Sequence, residues 1–146
     1  HVDLTEEGAL EKAISAKTKI VYFETPANPN MRIVDIEATA VVAKRAGAKR
    51  FVMLSSIGAD QEDPSGDLAH YLKAKHAADE HLKASGMPYA ILRPVALTDG
   101  ACSDQVILGD QVDASAEAPR ADVAAVLAEA AITGRLDGQA TNMQSA

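Results

Sequence analysis

Residues 49–60 read Lys49-Arg50-Phe51-Val52-Met53-Leu54-Ser55-Ser56-Ile57-Gly58-Ala59-Asp60, and the apolar run in the first half of that stretch decides the fold. A strand with one wet face alternates apolar with polar residues. Phe51-Val52-Met53-Leu54 is apolar at every position, which is the habit of a parallel strand covered on both faces. Ser55 to Gly66 then reads as loop. Asp67 is an N-cap for a long helix, Leu68 to Ser85, and Gly86 ends it. Met87 to Leu92 is a second fully apolar run, with Pro94 as its stop.

The same alternation extends outward in both directions. On the C-terminal side, residues 95–119 read as loop with a short strand at Val106-Ile107-Leu108. Arg120-Ala121-Asp122 opens a helix through Ile132, and Gln139 to Met143 is a weak last strand. On the N-terminal side, Thr5 can cap a helix with Glu6 and Glu7 in its first turn, where acids suit the helix dipole. Lys19-Ile20-Val21-Tyr22-Phe23 is rich in strand formers. Thr25-Pro26-Ala27-Asn28-Pro29-Asn30 makes a stiff loop, and Asp35 caps a helix through Ala46 with Gly47 as its C′ residue.

Strands and helices in turn predict a single α/β domain over residues 1–146. Its core is a parallel sheet of about four main strands with flanking helices, a Rossmann-like half-domain. The strand at 19–23 is expected beside the strand at 50–54. Right-handed crossovers would then place the helices at 35–46, 68–85 and 121–132 on one sheet face.

Composition narrows the function classes. A net charge of −7 argues against nucleic acid and anionic membranes as partners, since both call for basic patches. No apolar run approaches the ~20 residues of a membrane span. Cys102 is the single cysteine, so no disulfide frame exists and a reducing, cytoplasmic setting is expected, with recombinant expression in view. The start at His1, without Met or signal-peptide shape, reads as tag trimming or as a fragment of a longer chain. His70 and His81 share a helix face, but at eleven residues they lie about 16 Å apart, too far for one metal. Asp60, Glu62, Asp63 and Asp67 read as a solvated loop cluster, so no metal site is expected.

Two family resemblances divide the chain. His1-Val2-Asp3-Leu4-Thr5, Thr18 to Met31, and Asp35-Ile36 heading a helix that ends Arg45-Ala46-Gly47-Ala48 resemble the cystathionine and methionine γ-lyase branch of the pyridoxal-phosphate (PLP) enzymes. That resemblance implies a cofactor-binding role for Asn28 in the Asn-Pro loop. The lyases also need an Asp for the pyridine nitrogen and a Lys for the Schiff base. After residue 48 this chain has neither context, so Asn28 is expected to be an inactive relic.

From residue 49 the chain resembles the atypical short-chain dehydrogenase/reductase domains, the NAD(P)H-binding, NmrA-like group. The matching residues are Lys49 to Asp60, Tyr71-Leu72-Lys73-Ala74-Lys75, Ala77-Ala78-Asp79-Glu80, Ile91-Leu92-Arg93-Pro94, Leu97-Thr98-Asp99, and Arg120 to Leu127. The resemblance implies Tyr71 as general acid, Lys75 as its helper and ribose contact, and Ser56 (or Ser55) as the hydroxyl that steadies the substrate oxygen. Tyr71 and Lys75 are four residues apart and share a helix face. A dinucleotide fold also needs a Gly-rich turn after its first strand. The run at 19–23 is followed by a loop with two prolines and no glycine.

On these grounds no cofactor is expected, and NAD(P)H binding is expected to be weaker than millimolar. The reading is an engineered fold chimera with no evolved catalytic function, and not an enzyme, with Ser56, Tyr71 and Lys75 as relics. The alternatives are a remnant NAD(P)-dependent reductase or dinucleotide binder, and a non-catalytic homodimeric interaction module.

Overall fold

The computed structural model describes residues 1–27 and 29–146. The chain forms two compact units, His1–Lys49 and Arg50–Ala146. The division falls one residue beyond the point where the two resemblances meet.

In the first unit, α1 spans Ala9–Ala13 and α2 spans Ile36–Arg45. The helix expected from Thr5 starts later and is one short turn. Thr5 does not cap it: its hydroxyl donates to Asp3 Oδ1 at 2.7 Å and accepts from Arg32 Nη2 instead. Gly8 takes the N-cap position in the left-handed region, without a side-chain cap, and α1 buries none of its residues. Asp35 caps α2 as expected, its Oδ1 accepting from the Ala38 N–H at 2.8 Å. Residues 19–23 are not a strand. Ile20 is 66% exposed and Tyr22 89%. Strand propensity alone does not make a strand: each backbone N–H and C=O needs a ladder partner, and the run finds none among the described residues.

Among the described residues, all strands lie in the second unit. β1 is Phe51–Leu54, α3 Ala69–Ala84, β2 Tyr89–Pro94, β3 Ala96–Thr98, β4 Val106–Leu108, β5 Glu117–Pro119, α4 Arg120–Thr133 and β6 Gln139–Ser145. The main sheet has the order β1-β2-β6-β4, and β3 pairs with β5 in a small second sheet. β1, β2 and β6 run parallel, with Leu54 opposite Leu92 and Arg93 opposite Asn142. β4 is antiparallel to β6. The expected four-stranded, mostly parallel sheet with flanking helices is present, but its fourth member is β4 and not the run at 19–23.

Smaller departures have local causes. Asp67 does not cap α3; Leu68 holds that position without a side-chain cap. Pro94 closes β2 from inside the strand, where it donates no ladder bond, and its carbonyl still accepts from the Ile57 N–H at 2.9 Å. β3 and β5 lie in the stretch read as loop, being three residues each and too short to show a period.

The two sheet faces carry different helices. Ala90, Leu92 and Met143 join Val123, Val126 and Ala130 of α4 in one buried core. Arg93, which points to the opposite face by strand alternation, meets Asp79 of α3. So α3 and α4 cover opposite faces, contrary to the one-face expectation. The handedness rule governs a single helical crossover. The connection from β2 to β6 carries β3, β4 and β5 before its helix, so the rule does not fix the face. Burying Ile91, Leu92 and Met143, each about 1% exposed or less, contributes roughly 1.5–3 kcal/mol apiece.

Candidate functional site

β1 ends at Leu54, and the open end of a parallel sheet is where ligands meet α/β folds. Ser55 and Ser56 follow at once. Ser55 continues the ladder, its N–H donating to the Leu92 carbonyl at 2.7 Å. Ser55 is 4% exposed, and its Oγ has no hydrogen-bond partner among the described residues. Alternation turns it to the α3 face, with Met53 and in the row of Arg93. Ser56 is half-buried, and its Oγ donates to the Ile57 carbonyl at 3.3 Å.

The loop after β1 turns at Gly58, whose φ is +84°. A Cβ there would lie 3.3 Å from Leu72 Cδ1 of α3. The sequence therefore needs glycine for both the backbone conformation and the close helix. His76 Nδ1 lies 2.9 Å from the Ala59 carbonyl oxygen, tying α3 to the same loop.

Along α3, Tyr71, Lys75 and Asp79 recur at four-residue spacing and share one face. Lys75 Nζ donates to the Leu54 carbonyl at 3.1 Å. The same ammonium lies 5.6 Å from the centre of the Tyr71 ring, within cation–π range. Tyr71 is 47% exposed. Asp79, at 0%, accepts from Arg93 Nε at 2.7 Å. Asp79 Oδ1, Arg93 Nη2 and Asn142 Oδ1 have no partner among the described residues. The structure thus brings Ser55, Tyr71 and Lys75 to the carboxyl end of β1. Asn28, the expected PLP-loop relic, lies outside the described residues.

A second polar centre sits in the first turn of α4. Asp122, 1% exposed, accepts from the Cys102 thiol at 2.9 Å, the Ser145 hydroxyl at 2.5 Å, and the Ser103 hydroxyl and N–H at 2.8 and 2.9 Å. These bonds, the thiol's first, hold the Asp122 carboxyl well below the usual carboxylate range. The same contact pushes the Cys102 thiol up to about 11. Asp122 pins the 102–103 loop and the end of β6 to the helix. A groove of about 510 Å³ is lined by Leu108, Arg135, Gln139 and Thr141. It lies toward the amino end of β6, and so away from the carboxyl end of β1.

Asp79, Arg93 and Asp122 lie in the stretches that resemble the reductases, but the sequence alone assigns them no role. Two signals could have found the first pair. One is the continuation of the Tyr71–Lys75 spacing to Asp79. The other is the charge of Arg93 at the end of a wholly apolar strand.

The sequence profile of the NAD(P)H-binding family matches residues 1–133. The chain belongs to that family. Among solved structures, a Bacillus halodurans protein named for an NAD-dependent epimerase/dehydratase superposes with a TM-score of 0.67 at 32% identity, over 75% of this chain and 52% of that one. The oxidoreductase ylbE from Lactococcus lactis gives 0.62 at 31%, over 72% and 50%. ChuY, an anaerobilin reductase from Escherichia coli O157:H7, gives 0.58 at 27%, over 72% and 54%. The chain spans about half the length of these structures.

Short stretches also match PLP lyases. L-methionine γ-lyase from Pseudomonas putida is 48% identical over 48 residues, 33% of this chain and 12% of the lyase. The two-part resemblance is therefore real and fits a chimera. The reading of the chain as no enzyme is overturned: its family binds NAD(P)H, and ylbE and ChuY point to an oxidoreductase. No described helix is long and apolar enough to cross a membrane.

The family implies a dinucleotide, and the residues fit one end of it. The buried, unpartnered Ser55 hydroxyl, the half-exposed Tyr71 phenol and the Lys75 ammonium suit a nicotinamide ribose and a reacting oxygen. The pyrophosphate end is not matched. The nine glycines never fall in G-x-G-x-x-G spacing, and residues 19–23 form no strand to lead into such a turn.

Proposed function

We propose that Arg50–Ala146 carries the nicotinamide-and-substrate half of an NAD(P)-dependent reductase site for a small carbonyl compound. One observation supports this reading above the others. Lys75 is tied to the last carbonyl of β1, 5.6 Å from the Tyr71 ring, and the next residue, Ser55, has a buried hydroxyl with no hydrogen-bond partner among the described residues.

A nicotinamide, when bound, supplies the hydride of such a reduction. The chain's own part is the proton. Ser55 donates a hydrogen bond to the carbonyl oxygen and fixes its position. Tyr71 delivers its phenolic proton to that oxygen as negative charge develops there, and solvent reprotonates the phenolate of this half-exposed residue afterwards. The Lys75 ammonium stabilises the phenolate between those steps. Ser55 is preferred to Ser56 because it shares the α3 face, whereas the Ser56 hydroxyl is turned to the Ile57 carbonyl. The relic reading of Asn28 stands as a proposal of the lyase resemblance alone. The join at residues 48 and 49 is read as a fusion of two fold fragments.

Saturation-transfer NMR with millimolar NADPH tests the site. Strong saturation at the nicotinamide ribose protons, weak saturation at the adenine, and loss of both in Lys75→Met are expected. Equal saturation at both ends, or a signal untouched by that substitution, would contradict the proposal.

A further inference from the structure

α3 carries two of the three proposed site residues, yet little apolar surface holds it. Of its sixteen residues only Asp79 and Leu82 are buried. The hydrophobic effect is non-directional, and with so few buried side chains α3 has little interlocking packing to set its position. A directional contact is needed to fix its position along the sheet. His76 and Lys75 tie α3 to the loop and carbonyl that follow β1. The bond from Arg93 reaches further, to the middle strand β2, and is the fully enclosed one.

That ion pair is poorly built for stability. It makes a single bond, Nε to Oδ2 at 2.7 Å, with side chains 6% and 0% exposed. The second atoms of both groups, Arg93 Nη2 and Asp79 Oδ1, are left without partners among the described residues. Taking two charges out of water while leaving a polar atom of each without a bond is costly. Apolar residues of the same volume often do as well or better. What such residues cannot supply is a fixed distance between one atom of α3 and one atom of β2.

The geometry points to a positioning role. We infer that Asp79 and Arg93 set the height of α3 over the sheet, and thereby place Lys75 at the Leu54 carbonyl and Tyr71 beyond it. Asp79 lies one turn below Lys75 and two turns below Tyr71 on the same face. Arg93 lies in the row of Ser55 on the adjacent strand, since Leu54 pairs with Leu92. One bond therefore indexes the helix bearing the proton donor against the row bearing the serine. The purpose of this indexing rests on the function proposed above; the indexing itself does not.

The test reads position without any nucleotide, so its failure is separate from failure of the reductase reading. In the full chain, NOEs from the Lys75 ε-methylene to Leu54 and Ser55 report the height of α3, and the melting temperature reports stability. The double variant Asp79→Leu/Arg93→Met should melt no lower than the parent, with those NOEs reduced at least twofold. Asp79→Glu keeps both charges and lengthens the arm by one methylene, and should weaken the same NOEs while remaining folded. Wild-type NOE intensities in the folded double variant would overturn the inference. Should the double variant not fold, Asp79→Glu decides alone, and unchanged NOEs there would overturn it equally.

Discussion

Residues 19–23 and 51–54 are both short apolar runs next to a turn, yet one is exposed coil and the other is a strand. Phe51–Leu54 has β2 beside it and α4 against it, and its Ser55 extends the ladder. Lys19–Phe23 has no ladder partner among the described residues and leaves Tyr22 89% exposed. The contrast runs through both units. His1–Lys49 contributes Val34 and Thr39 to the buried residues, while Arg50–Ala146 contributes Ala90, Ile91, Leu92, Val123, Met143 and others. Strand-forming residues propose a strand; neighbours from the same sheet make one.

The largest effect should come from breaking the enclosed ion pair of the second unit. Asp79→Ala leaves the Arg93 charge buried and unpaired, and should cost about 3–5 kcal/mol in urea unfolding. A loss near zero would mean that the pair is solvated and that the unit is held otherwise. Gly58→Ala should cost about 1–2 kcal/mol, because it forces a Cβ into a left-handed conformation and against Leu72 at 3.3 Å. Tyr22→Ser in the first unit should change stability by less than about 0.5 kcal/mol, as exposed side chains do. A large loss there would show that the 19–23 run is paired after all.

Subtler still is the chemistry at Asp122. Raising the thiol to about 11 from its ordinary 9.0 lowers the thiolate fraction near neutrality about a hundredfold, so Cys102 should alkylate slowly with iodoacetamide. Asp122→Asn should speed it. The linkage signs follow from the directions. Asp122 is depressed, so its stabilisation is present above the ordinary carboxylate range and fades as pH falls below it. The raised thiol contributes fully below 9.0 and is lost as pH rises through about 11. Fast alkylation of the native chain at neutral pH would contradict the Cys102–Asp122 bond.

How much was legible in the sequence follows the same division. Hydrophobic pattern places α2, α3, α4, β1, β2 and β6 within a few residues, because each is long enough, or apolar enough, to carry its own signal, although of the expected N-caps only Asp35 acts as one. Val106–Leu108 was found for its apolar run, although its antiparallel direction was not legible. β3 and β5 escaped because three-residue strands are fixed by the sheet and not by their own pattern. Thr5 misleads because its hydroxyl is engaged by Asp3 and, as acceptor, by Arg32. At the site, Tyr71 and Lys75 were visible from spacing and resemblance. The preference for Ser55 over Ser56 needed the ladder, which shows which hydroxyl turns toward α3. The absence of a Gly-rich turn is legible in the sequence, but it does not exclude an enzyme: the chain belongs to an NAD(P)H-binding family, and the half-site proposed on β1 and α3 does not depend on that turn.

The proposed nicotinamide end of a reductase site lies wholly within the second unit. An amide shift map of the ¹⁵N-labelled chain titrated with NADPH tests it most directly. Shifts confined to residues around Leu54–Gly58 and Tyr71–Lys75, with none in residues 1–49, are the predicted result. Shifts centred on residues 24–30, or no shifts at any concentration reached, would contradict it.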